Sequence, residues 1–334
     1  MASRDVINWK FFVGKRPVCV HTDAEGPARP NYYEAVDPGL LVAWVTDLPA
    51  PDNDEHGSFR GRDTIVQRSP DARVLAIRLA YLHVLEILLA HIAAGVQAPG
   101  IPEAWLTLYR VEDLRTVAGQ LAASPWTASP TAQGLEYPES LAAHLFGVNR
   151  LKQPADARKR ELQSLVRAIT RLAQEYLSVD THAEFNSIKH GLRAVPGGFT
   201  LKIADIDLSS PHGTRRWFTE RVNNLKHHYE LRHQLLGWDA VRDKRVAFLA
   251  ALLFQNLAVA RKKGGGPHVP IASFELDEWF HTDLSLAALT HGALMSDYSE
   301  SLETHEDVRR RALEGQSEFV EDMKRSTDPA PAAT

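Results

Sequence analysis

One cysteine, Cys19, stands in a chain of 334 residues, so no intramolecular disulfide can form and no cysteine-based zinc cluster can be assembled. That usage fits a reducing, cytoplasmic setting. An excess of one charge is also missing, because 38 Lys and Arg face 42 Asp and Glu for a formal net charge of −4. Contact with nucleic acid therefore has to come from a local basic patch. The first residues, MASRDVINWKFFVGKRP, lack the continuous apolar stretch of a secretory signal, and secretion is not expected. Long hydrophobic runs are scarce as well. The most apolar, VAFLAALLFQNLAVA at 246–260, is followed by Arg261, Lys262 and Lys263. It is shorter than the roughly 20 residues a bilayer requires and it holds Gln255 and Asn256. A buried core helix is expected there, and no membrane partner.

Familiar catalytic signatures are absent too. No HExxH, P-loop, Gly-x-Ser-x-Gly or G-x-G-x-x-G element occurs. Gly264-Gly265-Gly266 lacks the preceding strand and following helix of a phosphate cradle, and there is no His-Asp dipeptide of the phosphohydrolase type.

What is present is ordinary globular composition, 44% apolar and 24% charged, enough for a substantial core. Residues 1–70 form an irregular, Pro-rich region, with short apolar pieces such as PVCV at 17–20 and LLVAWV at 40–45 that suit strands packed on the main body. A helical domain is expected over 71–325, and a disordered tail over 326–334. Within it, 71–94 is apolar nearly all round at helical period, closed by Gly95, and predicts a central helix. Arg78, His83 and Glu86 on that helix read as a buried, mutually satisfied polar cluster. Residues 103–123 predict a further helix, 124–138 a loop, and 156–179 the clearest amphipathic helix. Its buried stripe is Leu162, Leu165, Val166, Ile169, Leu172, Ala173, Tyr176 and Leu177. Arg160, Arg167 and Arg171 form a separate basic stripe, either a solvated face or an anion-binding one.

A minor β element is expected over about 199–208, where FTLKI alternates and then shifts phase into ADIDL, as a bulge would require. Helices are predicted near 211–236 and at 240–262, a turn at GGGPHVP, a strand at 269–276, and helices at 284–297 and 302–324. The fold class is mainly α: a helical, bundle-like core with that minor β element and N-terminal strands.

The most chemically suggestive stretch is THAEFNSIKHGLRAVPGG, residues 181–198. Thr181 and Glu184 make a capping-box pattern that starts a helix. Phe185, Ile188 and Leu192 fall on one face and should pack inward. Asn186, Lys189, His190 and Arg193 fall on another at i, i+3, i+4 and i+7. Such a set can handle phosphate. The imidazole of His190 moves a proton, Lys189 and Arg193 stabilise negative charge on a phosphoryl oxygen, and Asn186 orients a hydroxyl or the imidazole. The competing reading is the plain polar face of a short amphipathic helix.

FNSIKHG resembles the Asn-x-x-x-His part of the motif in HEPN-fold proteins, helical bundles many of which are metal-independent ribonucleases of toxin and phage-defence systems. The resemblance implies His190 as the catalytic histidine and Asn186 as the motif's polar residue, with no cofactor and RNA as the partner. Phe185 occupies the family's arginine position, so Lys189 or Arg193 substitutes or the chain is a non-catalytic relative. Catalytic candidates are thus His190, Asn186 and Arg193, and RNA-contact candidates are Lys189, Arg160, Arg167 and Arg171. A site requires the quartet to line a cleft or a homodimer interface; a scaffold with a protein partner does not. A third expectation is a di-iron carboxylate site, from Glu230-x-x-His233 and Glu278-x-x-His281 with Glu86 and Glu175.

Overall fold

The computed structural model describes residues 6–23, 31–48, 58–60, 65–67, 70–123, 138–178, 184–185, 187–188, 194–196, 199–203, 206–210, 213–221, 229–281 and 294–296. The helices are α1 (Tyr32–Ala35), α2 (Leu40–Thr46), α3 (Pro70–Gln97), α4 (Pro102–Leu108), α5 (Val111–Ala122), α6 (Pro138–Phe146), α7 (Ala155–Leu177), α8 (Ala240–Arg261) and α9 (Leu276–Trp279). The strands are β1 (Val6–Val13), β2 (Arg16–Asp23), β3 (Ser58–Arg60), β4 (Ile65–Gln67), β5 (Ala194–Pro196), β6 (Phe199–Ile203), β7 (Ile206–Ser210), β8 (Gly213–Arg221), β9 (Tyr229–Gly237) and β10 (Leu294–Ser296). The fold is mainly α with a minor β element.

Helices that are apolar on every side find enough apolar neighbours only at the centre of a protein, and α3 and α8 pack along one another there. Over Arg73–Gln97, α3 is long and apolar enough to cross a membrane, yet 78% of its most apolar window is buried inside this protein. Its faces are already covered by protein. α8 starts at Asp239, whose side chain accepts from the Arg242 amide at 2.9 Å and so satisfies a free first-turn N–H. Around this pair, α2 and α6 lie on α8, α4 on α3, and α5 on α7. In α7 the stripe points inward: Leu165, Ile169, Leu172, Ala173 and Tyr176 are buried, and Leu162, Val166 and Leu177 pack at its edge.

The β1–β2 hairpin docks on the helices through its turn. Gln97, at the end of α3, accepts from the Gly14 amide at 2.8 Å, donates to the Gly14 carbonyl at 3.0 Å, and accepts from Trp105 Nε1 at 2.9 Å. Arg16 Nε donates to Asp113 Oδ1 at 3.1 Å. The other strands pair antiparallel: β10-β9-β8-β5 in one sheet, and β3–β4 and β6–β7 as hairpins.

Several local expectations give way to tertiary context. LLVAWV is helix α2 and not a strand; Leu41 and Val45, four apart, are buried, while Leu40 and Trp44 are exposed. The expected helix at 103–123 is two helices, because Tyr109 and Arg110 are extended and the Asp113 carboxylate accepts from the Arg110 amide at 2.9 Å, starting a second helix. α3 does not close at Gly95 but runs on to Gln97. A side chain at 95 would meet Leu145 Cδ2 at 2.8 Å and Arg261 Nη2 at 3.2 Å, so the glycine makes room for α6 and α8.

The helix predicted near 211–236 is the β8–β9 hairpin, with Gly213 opposite Gly237 and Arg221 opposite Tyr229. Local composition favours helix there, and the ladder supplied by β5 and β10 overrides it. FTLKI is a strand as expected, but Ile206–Ser210 runs back antiparallel beside it with Ile203 opposite Ile206 and does not continue it past a bulge. In place of a strand at 269–276 there is a 3₁₀ turn at Ile271–Ser273, then α9. The buried Glu161 carboxylate captures that turn by accepting from the Ile271 and Ala272 amides, each at 2.9 Å, and it meets His268 Nε2 at 2.8 Å. Leu294–Ser296, within the helix expected at 284–297, is strand β10. The expectations for 124–137, 302–324 and 326–334 lie outside the described residues.

Candidate functional site

Arg78 on α3 is flagged by its sequence, a cation inside an apolar helix. Its partners are not His83 and Glu86. His83 is exposed, its ring 6.3 Å from that of Trp44 and 5.8 Å from that of Phe185, and Glu86 Oε1 accepts from Tyr109 at 3.3 Å. Arg78 instead donates from Nε and Nη2 to Glu184 Oε2, at 3.1 and 2.7 Å, and from Nη1 to Asp243 Oδ2 at 3.0 Å. The guanidinium also lies 5.0 Å from the centre of the Tyr81 ring and 5.7 Å from that of Trp238. The pattern failed because an i, i+5, i+8 set on one helix says nothing of partners 106 and 165 residues away.

A second arginine extends the network. Arg242 of α8 pairs with Glu175 of α7, lies 3.6 Å from Asp243, and donates from Nε to the Phe280 carbonyl at 3.4 Å. Tyr81 donates to the other oxygen of Glu175 at 2.8 Å. Two guanidinium groups and three carboxylates thus join α3, α7, α8 and the helical residues Glu184 and Phe185. Burial opposes the charge of Arg78, but Asp243 and Glu184 outweigh it and hold the guanidinium protonated. Burial, with Glu184 adding to it, pushes the Asp243 carboxyl above its ordinary value against the pull of Arg78 and Arg242. Burial and the Glu175 charge raise the Tyr81 hydroxyl, which stays a donor.

The network clamps the start of the quartet segment. Glu184 is fully buried, and Phe185 and Ile188 are 6% and 4% exposed, so these two inward residues pack as expected. Leu192 and the quartet itself, Asn186, Lys189, His190 and Arg193, lie outside the described residues. Arg160, Arg167 and Arg171 are all exposed on α7. Arg167 pairs with Asp277 at the surface, and Arg171 lies 5.7 Å from the centre of the Phe280 ring. Arg167, Arg171 and Glu175 follow one another at i, i+4 and i+8, so the stripe runs down α7 into the network. At the start of α7 a hollow of about 530 Å³ is lined by Asn149, Arg158, Lys159 and Gln163, among others.

The di-iron arrangement needs two Glu-x-x-His pairs on helices. Glu230 and His233 lie on strand β9, and Glu175 is engaged by Tyr81 and Arg242. Among the described residues, no group of three or more His, Cys, Asp and Glu could hold a metal ion. The sequence singles out neither Asp243 nor Arg242, and Glu184 reads there only as half of a capping box. The one available signal was the charged opening of an otherwise apolar helix, DAVRDKR at 239–245.

Fold and site together define a mainly helical protein with a buried five-charge network that fixes one segment to its core. No protein-family model, no curated protein and no solved structure matches the chain.

Proposed function

We propose that the protein is a HEPN-like RNA-binding protein that cleaves RNA without a metal. In this reading His190 serves as acid or base, Asn186 orients, and Arg193 and Lys189 hold the scissile phosphate, with Arg160, Arg167 and Arg171 contacting the backbone of the same RNA. One observation carries it. The buried network ties the segment leading to His190 and the basic helix α7 to the same point of the core, through Glu184 on one side and Glu175 on the other. From Arg160 to Arg171 the row climbs eleven steps of the helix, about 16 Å at 1.5 Å per residue. That length suits a run of several phosphates on a single strand.

A second reading has its own observation. Phe185, at the position of the family's arginine, is buried against the core, which favours a non-catalytic relative that binds RNA or a protein partner through the same face. Incubation of single-stranded RNA and tRNA in chelator, with wild type and with His190→Ala, separates the two. Cutting by wild type and none by a mutant with unchanged circular dichroism supports catalysis at His190. Intact RNA with well-folded wild type removes the ribonuclease reading for those substrates and leaves the non-catalytic one.

A further inference from the structure

The last residue of α8 is a cation without a counter-ion among the described residues. Arg261 is largely buried, and its Nε and Nη2 have no hydrogen-bond partner. Gly95 leaves the space that Nη2 occupies. Beside it, the buried hydroxyl of Tyr33 has no partner either. Burial raises that hydroxyl far above its ordinary value, so Tyr33 offers a donor and not a neutralising phenolate. Among the described residues, Arg150 adds a charge of like sign to burial in opposing the Arg261 charge. Three unpartnered donor atoms, Arg261 Nε and Nη2 and the Tyr33 hydroxyl, are costly to bury together with the guanidinium charge, and each calls for an acceptor.

A cavity of about 350 Å³ opens at this point, walled by Trp9, Asn31, Tyr32, Tyr33, Pro102 and Arg261 among others. Its wall is held in place, since Asn31 donates to the Arg261 carbonyl at 2.9 Å and accepts from the Tyr33 amide at 3.1 Å. The Tyr32 hydroxyl is fixed on His91 Nε2 at 3.3 Å. Glu103 also lines the cavity, on the side of Pro102. Aromatic walls with one convergent cation are the make-up of a small-ligand site, and the volume falls within the usual range for one.

We propose that this cavity binds a small aromatic anion of mononucleotide size, its phosphate or carboxylate on Arg261 and Tyr33 and its ring against Trp9 and Tyr32. The site is independent of the ribonuclease reading, because it contains none of the residues invoked there. Isothermal titration calorimetry of the full chain tests it with AMP, GMP, CMP and UMP, their nucleosides, inorganic phosphate and indole-3-acetate. At least one aromatic anion should bind with a Kd below about 1 mM, and its uncharged counterpart about tenfold more weakly or worse. Indole-3-acetate against the nucleotides tells a carboxylate head from a phosphate one. Arg261→Gln should weaken binding by about tenfold or more, while its melting temperature without ligand stays at or above that of wild type. Tyr33→Phe keeps the ring and the packing, so it is the folded control, and it should weaken binding several-fold. Absence of binding by wild type to every anion, or an unchanged affinity in Tyr33→Phe, overturns the proposal.

Discussion

Glu184 and Asp243 share one cation, Arg78. Replacing Arg78 by Met keeps much of the buried stem but leaves two carboxylates in the core without their common partner. Breaking a buried pair in this way costs about 3–5 kcal/mol, which urea unfolding at pH 7 should record. Without the cation the Asp243 carboxyl, already raised by burial, is pushed further toward the neutral form, so the deficit should shrink when the same measurement is made at pH 5. Glu161 behaves in the opposite sense. Burial works against its charge, but the His268 hydrogen bond and the Ala272 and Ile271 amides outweigh burial and hold the carboxyl below its ordinary value. A depressed carboxylate contributes stability that is complete above its unfolded pKa and disappears as pH falls through its folded one. Glu161→Gln should therefore flatten the acid limb of a melting-temperature profile below about pH 4.5, and a limb as steep as that of wild type would count against it.

The elements differ in how plainly their sequences announce them. α3, α7 and α8 carry their burial in their own periodicity, so the central pair and the amphipathic helix beside it were legible at once. β8 and β9 were not, since Arg216, Glu220, Leu231 and Gln234 suit a helix as well, and only a ladder partner settles the matter. The network was half legible for the same reason: the helix betrays Arg78, while Glu184 and Asp243 are ordinary residues until the chain folds back. The inward face of Phe185 and Ile188 followed from spacing alone. At the β1–β2 turn the constraint is local and sharp. Gly14 has φ 64°, and a Cβ there would stand 2.7 Å from the Asp113 Cα. Gly14→Ala should cost at least about 1–2 kcal/mol from the left-handed backbone alone, and amide exchange across 6–23 should quicken more than exchange in α3.

At the scale of the molecule, a formal charge of −4 leaves the proposed RNA binding to one face and not to the whole. Exposed arginines on α7 then have to appear in the salt dependence. Replacing Arg160, Arg167 and Arg171 together by Gln should lower the slope of log K against log salt by about 2 and weaken binding by at least tenfold, with the fold unchanged. An unaltered slope would mean that RNA does not lie along α7.

The pairing of α3 with α8 also has a consequence in time. Arg78 and Asp243 are 165 residues apart, and a ribosome adding roughly 5–20 residues per second takes on the order of 10–30 s to cover that distance. For that interval a nascent helix apolar on all sides, with a cation in it, has emerged without the partner that covers it. The chain's most vulnerable moment thus falls during its own synthesis, when a chaperone at the exit tunnel has the longest claim on α3.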